Sequence, residues 1–308
     1  MIHVAYCFDR NYQQHAGVSL TSLLLNFGGD GSQLCVHLVT DEIDSDFDAR
    51  LDGLRRRFRA RIETHLVSPQ QHSQLDMLPT SNNNIPYMST ATWFRMMLAN
   101  ILPPQIGKVL YLDADTVVLA DITELHDTSL NDCPIAAARD ASEKQMSAKL
   151  GLKTYINTGV MLMDLSQWRD RGHINACLKC AANNAERLTY ADQCAMNLTF
   201  AGRIRILDPK WNRFATTRNG AVDFSDAGIV HFITQHKPWQ EWYANPVGGL
   251  YWRYLEVSPW AGTAPMAAQT LDQTLRVARL RSSQGRHAEA QAAYERIAQT
   301  MFNKKPKD

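Results

Sequence analysis

The sequence predicts an α/β fold built on a largely parallel, doubly wound β-sheet. Short apolar runs that are typical of buried strands alternate with helical patterns through the first hundred residues. The run at residues 109–112 has no polar alternation at all, which is expected of a strand buried on both faces. A chain of 308 residues with 45% apolar content can also bury a core of the size that such a sheet needs.

Each element has its own local signal in the sequence. Ser45 is a plausible N-cap for the second helix, and residues 157–159 form a polar Asn-Thr-Gly turn before a buried strand. A polar loop is expected at residues 82–86. Strands are predicted at residues 2–8, 34–39, 62–67, 109–112, 134–138, 204–207 and 229–233, and beyond the polar turn. Helices are predicted at residues 16–25, 45–58 and 90–102, and near residues 190–197.

The C-terminal segment differs from the rest of the chain. Residues 271–281 and 287–301 have Ala-, Arg- and Gln-rich helical patterns, which predict a helical hairpin. We therefore divide the chain into a main domain, residues 1–262, and a C-terminal helical hairpin or tail, residues 263–308. The second helix is similar to a single tetratricopeptide unit, but one unit is too little for an array, so we expect it to pack on the main domain.

Composition excludes several classes of protein. A net charge of +1, with both signs scattered along the chain, gives no reason to expect nucleic-acid binding. No stretch approaches the roughly 18 apolar residues that a membrane span needs, and the N-terminus has the pattern of a strand, not of a signal peptide. The six cysteines lack framework spacing, and Cys177 and Cys180 fit a helix face better than a metal pair. We expect a cytoplasmic protein.

Two carboxylates, Asp113 and Asp115, follow the apolar run at residues 109–112. On an extended chain such a pair points the same way, so both can face one metal ion. Ligands of open α/β sheets bind just beyond the carboxyl ends of strands, where these acids would lie. We therefore favour an Asp-x-Asp metal site that binds a diphosphate. The alternative is a capping turn in which both carboxylates accept backbone N–H groups.

Other motifs accompany this pair in a fixed order. They are residues 5–12, Phe94-Arg95-Met96, residues 111–115, residues 156–160, Asp192-Gln193, and His231 followed by Lys237-Pro238-Trp239. Together they resemble glycosyltransferase family 8, in particular the bacterial lipopolysaccharide core glucosyl- and galactosyltransferases. The resemblance extends over residues 2–260 and implies a single GT-A-type nucleotide-sugar-binding domain, Rossmann-like, with a mixed, mostly parallel sheet.

The resemblance also implies how a UDP-sugar would be bound. Asp9 would accept from the uracil N–H, Asn11 would approach the ribose, and Tyr12 would stack on the base. The other donor-binding positions that it implies are Arg95, Asp113, Ala114, Asp115, Asp140, Asn157, Thr158 and Lys237. The family usually has a glycine before its Lys-Pro-Trp, where this chain has Thr234, Gln235 and His236. The family resemblance therefore does not predict the geometry of that loop.

The same resemblance implies a metal and a reaction. Asp113, Asp115 and His231 would bind Mn²⁺, with Mg²⁺ as the alternative, because imidazole suits transition metals better than Mg²⁺. The reaction would retain the α configuration of the donor. An amide oxygen is a poor nucleophile, so we expect Gln193 to stabilise positive charge and Asp192 to position the sugar in a front-face transfer.

The function expected from these features is metal-dependent transfer of glucose or galactose from UDP-glucose or UDP-galactose to a lipopolysaccharide core acceptor. Two alternatives remain open. Residues 113–116 also fit the Asp-x-Asp-x-Thr motif of haloacid-dehalogenase-type phosphatases, and the chain could bind a nucleotide sugar without catalysis. Attachment to the inner face of the cytoplasmic membrane would be peripheral and weak. Its candidate surface is the tail, with Arg276, Arg279, Arg281 and Arg286, unless these arginines form only a solvated helix face.

Overall fold

The computed structural model describes residues 1–76, 78, 90–216 and 223–302, so the predicted loop at residues 82–86 lies outside the described residues. The strands are β1 (Ile2–Cys7), β2 (Leu34–Thr40), β3 (Arg61–Leu66), β4 (Lys108–Leu112), β5 (Thr116–Val118), β6 (Ile135–Arg139), β7 (Ile156–Asp164), β8 (Ile204–Ile206), β9 (Arg213–Phe214) and β10 (Ile229–His231). The α-helices are α1 (Gln13–Asn26), α2 (Ser45–Phe58), α3 (Pro69–Asp76), α4 (Leu98–Ile101), α5 (Thr123–Asp127), α6 (Glu143–Leu150), α7 (Leu165–Asp170), α8 (His173–Asn183), α9 (Ala191–Thr199), α10 (Gly249–Glu256), α11 (Leu271–Ser283) and α12 (His287–Phe302).

The main sheet has the strand order β3-β2-β1-β4-β7-β6-β8. Its strands are parallel except β7, which runs antiparallel to both β4 and β6. The predicted mixed, mostly parallel sheet is therefore confirmed. A second, small sheet has the order β5-β10-β9 and brings the end of β10 beside the loop that follows β4.

Apolar side chains cover both faces of the main sheet. On one face Tyr111 and Met161 pack with Trp93, Phe94 and Trp168. On the other face Tyr6 and Leu110 lie in a cluster with residues of α1 and α2. Burial on both faces explains the unbroken apolar run of β4 that the sequence shows.

Several local predictions were wrong in detail. The N-cap of α2 is Asp44, not Ser45, because the Asp44 carboxylate accepts the Phe47 N–H at 2.7 Å. The polar residues 157–159 do not form a turn; they belong to β7, where contacts with neighbouring side chains satisfy their polar groups. The helix expected at residues 90–102 is a 3₁₀ helix, Thr90–Met97, followed by α4.

The C-terminal hairpin, α11 and α12, is present where the sequence predicts it. Its helices bury Val277 and Ala278 on α11 and Ala290 and Ala293 on α12. The segment before it pairs with the main domain through a Gln240–Met266 bridge and a hydrogen bond from the Ala268 N–H to the Glu241 carboxylate. The boundary after residue 262 stays a prediction.

All six cysteines are free, and Cys177 and Cys180 lie on α8, as the sequence indicates. Within the residues that the structure describes, no helix combines the length and the apolar character needed to cross a membrane.

Candidate active site

A cleft of about 800 Å³ opens at the carboxyl ends of β1 and β4, beside the start of β7 and the end of β10. It is the kind of sheet edge at which α/β proteins bind ligands. All of the predicted site residues except Asn11 line it. Asn11 is exposed on the neighbouring 3₁₀ turn, where its backbone N–H donates to the Asp9 carboxylate at 3.0 Å.

Asp113, Asp115 and His231 come together at the floor of this cleft, with one donor atom from each lying within 4.8 Å of the others. The His231 Nε2 atom is 3.2 Å from Asp115 Oδ1 and 3.6 Å from Asp113 Oδ2. Asp115 Oδ1 is buried and accepts no hydrogen bond. An orphaned carboxylate oxygen beside a histidine and a second carboxylate fits a bound divalent cation.

The partners of the two carboxylates argue against the capping-turn alternative. Asp113 accepts from the Tyr111 hydroxyl at 2.6 Å and pairs with the Arg95 guanidinium at 3.0 Å. Asp115 pairs with Lys237 at 2.6 Å. These partners are side chains, whereas a capping turn would place backbone N–H groups there.

Gly159 leaves room for this cluster. A Cβ atom at that position would lie 2.2 Å from the His231 ring and 2.6 Å from the Asp113 carboxylate. Any side chain at residue 159 would therefore displace two of the three candidate ligands.

A chain of hydrogen bonds fixes which nitrogen of His231 faces the carboxylates. The Asn157 amide donates to Asp140 at 2.9 Å, so its oxygen is free to accept from the Asn212 amide at 3.0 Å. The Asn212 oxygen in turn lies 3.0 Å from His231 Nδ1, which must carry the proton. The Nε2 lone pair is thus directed at the two aspartates, as metal-binding histidines require.

Arg95 joins the aspartates at the back of the cleft. Its guanidinium lies 3.0 Å from both Asp113 and Asp192 and donates to the carbonyls of Thr92 and Thr158. Burial opposes the charge, but Asp113 and Asp192 raise the pKa of Arg95 above its usual value, so it stays a cation.

Asp192 and Gln193 lie side by side at the start of α9. Burial raises the pKa of Asp192 to about 7, although the Arg95 charge acts in the opposite direction. The Gln193 amide oxygen accepts the Thr158 N–H at 3.2 Å, and its NH₂ group lies 3.2 Å from both Asp140 and the Tyr155 hydroxyl. Gln193 and Asn197 both contact β7, as their spacing on the helix predicts.

Lys237 places a second buried cation in the cleft. Its ammonium donates to Asp115 Oδ2 at 2.6 Å and to the Phe232 carbonyl at 2.7 Å. Burial of Asp115 favours its neutral form, but the Lys237 charge outweighs this and lowers the pKa of Asp115 well below its usual value.

Near β1 the cleft is lined by Tyr12, which is backed by buried aromatic rings. Tyr12 meets Trp239 edge-on, and Trp239 stacks on His15 with ring centroids 3.5 Å apart. Asp9 caps the 3₁₀ turn that presents Tyr12. A planar base could stack on the Tyr12 ring.

Sequence reasoning missed three features of the site. Asn212 orients His231, and only its position after the short strand β8 could have drawn attention to it. Thr234, in the loop that lacks the family's glycine, has a φ of 79°, a backbone conformation that favours glycine. Arg276, from the C-terminal hairpin, also reaches the lining of the cleft.

Comparison with known proteins assigns the family. The model of glycosyl transferase family 8 matches residues 3–243, most of the chain. The chain belongs to glycosyl transferase family 8. It is 28% identical to the lipopolysaccharide 1,3-galactosyltransferase of Salmonella typhimurium over 278 residues, which is 85% of this chain and 80% of that protein. It is 27% identical to the lipopolysaccharide 1,2-glucosyltransferase of Escherichia coli K12 over 286 residues, which is 88% of this chain and 82% of that protein.

Solved structures confirm the fold. The galactosyltransferase LgtC, crystallised with donor and acceptor sugar analogues, superposes with a TM-score of 0.72 at 21% identity, covering 86% of this chain and 98% of LgtC. The glycosyltransferase GlyE of Streptococcus pneumoniae superposes with a TM-score of 0.63 at 18% identity, covering 82% of this chain and 60% of GlyE. The predicted GT-A-type fold, family and enzyme class, a glycosyltransferase, are confirmed. Membership of family 8 decides against the phosphatase alternative.

Proposed function

We propose that this family 8 enzyme transfers glucose or galactose from a UDP-sugar to a lipopolysaccharide core acceptor, forming an α linkage from an α-linked donor. The observation that carries this proposal is the cluster of Asp113, Asp115 and His231 in the cleft. Relatives named as lipopolysaccharide galactosyl- and glucosyltransferases supply the class of donor sugar and acceptor.

Asp113, Asp115 and His231 would bind the metal ion. Two carboxylates with one imidazole favour Mn²⁺ over Mg²⁺, which prefers ligand sets made of oxygen alone. When bound, such an ion neutralises the diphosphate of the donor as a Lewis acid.

Lys237 and Arg95 would contribute fixed positive charge as the bond between sugar and diphosphate breaks. Lys237 lies against Asp115, so its ammonium can reach a phosphate oxygen bound at the same place. Arg95 bridges Asp113 and Asp192 from the sugar side. Buried charges that are already in position stabilise the leaving group without reorganisation, and losing one typically costs about 3–4 kcal/mol of transition-state stabilisation.

Gln193 and Asp192 would act at the sugar. Gln193 is held by Thr158, Asp140 and Tyr155, so its amide is positioned before a donor binds. Because an amide is a weak nucleophile, we assign Gln193 to stabilising positive charge on the sugar, with the acceptor attacking on the face that UDP leaves. Asp192, behind Arg95, would position that guanidinium and the donor.

The nucleotide would lie at the aromatic end of the cleft, with the base on Tyr12 and the uracil N–H on Asp9. Asn11, although it lies outside the cleft lining, is next to both and is assigned to the ribose. Asp140, Asn157 and Thr158, at the start of β7 and just after β6, would contact the donor sugar together with Ala114.

Contact with a membrane-borne acceptor would be weak and peripheral. Three of the four tail arginines, Arg276, Arg281 and Arg286, already pair with acidic residues of the hairpin. These pairs reduce the charge available for an anionic surface.

The proposal is tested by incubating the protein with a panel of UDP-sugars and measuring UDP release with EDTA, Mn²⁺ or Mg²⁺. We expect release from one hexose donor, loss with EDTA and recovery with Mn²⁺. Asp115→Asn should lower turnover by about 10²–10³-fold, whereas Asp127→Asn, an exposed aspartate outside the cleft, should match the wild type. The anomeric configuration of the product, read by NMR, should be α.

Full activity of Asp115→Asn, or activity that is unchanged by EDTA, would contradict the assignment of the metal site. Hydrolysis of a phosphomonoester without consumption of any UDP-sugar would contradict the assigned reaction.

A further inference from the structure

Three histidines lie side by side on the parallel strands at one edge of the main sheet, away from the cleft. His3, His37 and His65 come from β1, β2 and β3. His3 Nδ1 lies 3.0 Å from His37 Nε2, and His37 Nδ1 lies 3.0 Å from His65 Nε2. The rings form a continuous row across three strands, with centroids 5.3 and 5.2 Å apart.

A carboxylate completes one end of this row. Glu63 is the register partner of His37 on β3, and its Oε2 atom lies 3.5 Å from His37 Nδ1 and 4.0 Å from His65 Nε2. Its other oxygen accepts from Arg61 at 2.6 Å, which orients Oε2 toward the two imidazoles. One donor atom from each of His37, Glu63 and His65 therefore lies within 4.8 Å of the others.

These separations suit a transition metal. Ligands at 2.0–2.1 Å from a tetrahedral Zn²⁺ lie about 3.3 Å from one another. The three observed separations, 3.0, 3.5 and 4.0 Å, bracket that value, so small side-chain rotations would bring all three atoms onto one ion. Two imidazoles and one carboxylate also form a donor set that Zn²⁺ accepts and that Ca²⁺ and Mg²⁺ do not prefer.

The surroundings of the cluster support an ion rather than a bare hydrogen-bonded row. His37 is fully buried, and its remaining nitrogen meets His3, which gives it the outer partner that metal-binding histidines use to fix their tautomer. His65 and Glu63 are 18% and 31% exposed, so an ion can enter from the β3 edge.

We propose that His37, Glu63 and His65 form a second divalent-cation site, which takes Zn²⁺ or a similar transition metal and leaves a fourth position for water. The site ties the edge strand β3 to β2. It is separate from the cluster at Asp113, and it does not depend on which sugar the enzyme transfers.

A competing ligand set lies on the other side of His37. His3, Cys35 and His37 also bring donor atoms within 4.8 Å. Cys35 is almost fully buried, and burial raises the pKa of its thiol to about 11, so a metal there would have to displace a tightly held proton. The set with Glu63 provides a carboxylate and is partly open to solvent, and we assign the site to it.

The test uses the full chain with Asp113→Asn and Asp115→Asn, which removes both carboxylates of the first cluster. Calorimetric titration with Zn²⁺ should show one remaining site, and Co²⁺ should give visible absorption bands typical of four-coordinate nitrogen and oxygen ligation. Adding Glu63→Gln, which keeps the size of the side chain, should weaken Zn²⁺ binding at least about tenfold, and adding His65→Ala at least about 100-fold. Zn²⁺ should raise the melting temperature of the double variant and lose that effect in both triple variants.

Adding His287→Ala instead, at an exposed tail histidine, should leave Zn²⁺ binding as in the double variant. The proposal is overturned if the double variant binds no Zn²⁺, or if Glu63→Gln and His65→Ala bind it as tightly as their parent. It is equally overturned if Cys35→Ser abolishes binding and the Co²⁺ spectrum shows sulfur-to-metal charge transfer, since the ion would then lie on the side of His3.

Discussion

The cleft and the histidine row lie on the same sheet, but they balance charge in opposite ways. In the cleft, Asp113 and Asp115 face Arg95 and Lys237, so partly buried carboxylates are paired with buried cations. In the row, burial lowers the pKa of His3, His37 and His65, so the rings stay neutral although the Glu63 carboxylate lies 3.5 Å from His37. In the cleft, contact between opposite charges keeps them ionised, whereas in the row burial outweighs the nearby carboxylate and keeps the bases neutral. The two regions should therefore respond differently to substitution and to pH.

The largest effect of a substitution is expected at His231, the histidine of the cleft. His231→Ala removes a candidate metal ligand, so turnover should fall by about 10²–10³-fold and the Mn²⁺ concentration for half-maximal activity should rise. Measuring UDP release against Mn²⁺ concentration checks this. A variant with a lower melting temperature but an unchanged Mn²⁺ requirement would show that His231 is only a core residue, and the distinction between the two regions would fail.

The second prediction concerns the effect of pH on Asp192 at the back of the cleft. Its pKa is raised by burial to about 7, from an ordinary value of 3.8, so the folded protein keeps a proton that the unfolded chain loses. Its stabilising effect is present at low pH and is lost as pH rises to about 7. Relative to Asp192→Asn, metal-free wild type should lose up to about 1.4 kcal/mol of unfolding free energy per pH unit between those values. Denaturant unfolding at several pH values measures this slope, and parallel curves for the two proteins would refute it.

The third prediction has the opposite sign and concerns His37. Burial, together with His65, His3 and Arg61, lowers its pKa to about 3 from 6.5, so the unfolded chain takes up a proton that the folded protein refuses. Its contribution to stability is complete above pH 6.5 and is lost as pH falls. Relative to His37→Gln, metal-free wild type should lose up to about 1.4 kcal/mol per pH unit below 6.5. If the unfolding free energy of the wild type changes with pH in the same direction relative to Asp192→Asn and relative to His37→Gln, the contrast between the two regions is wrong.

The smallest effect is expected at the rim, where Arg276 of the hairpin lines the cleft and is partly neutralised by Asp272 at 2.7 Å. Arg276→Ala should raise the KM for the lipopolysaccharide acceptor by a few-fold, since an exposed pair contributes about 1 kcal/mol or less. UDP release in the absence of acceptor should not change. Arg279→Ala, on the same helix but not in the cleft lining, is the matched control, and equal acceptor KM values for the two variants would remove the hairpin from acceptor binding.

The contrast also explains what could be predicted from the sequence. Asp113 and Asp115 are two residues apart on one loop, so their geometry is local and the motif is visible directly. The family resemblance added His231 and Lys237, which lie far along the chain. Nothing local links His3, His37 and His65, because the register of three parallel strands brings them together. A single sequence does not specify that register.

The same physical reason accounts for the error at residues 157–159. The sequence of residues 157–159 has the composition of a turn, because Asn, Thr and Gly are polar or small. In the fold these residues extend β7 into the cleft, where Asp140, Asn212 and Gln193 satisfy their polar groups. The main strands were predictable because apolar burial is a local signal, whereas polar strand ends depend on partners that are distant in sequence.

The hydrogen bond from the Lys237 ammonium to Asp115 bears on how the protein folds without a metal ion. With Arg95 beside Asp113, it offsets the negative charge of the cleft from within the chain. We therefore expect the chain to fold without a metal ion, and the metal-free protein to stay folded. If the cluster of Asp113, Asp115 and His231 binds a metal ion as proposed, the supply of that ion would change the active fraction of the enzyme and not the amount of folded protein.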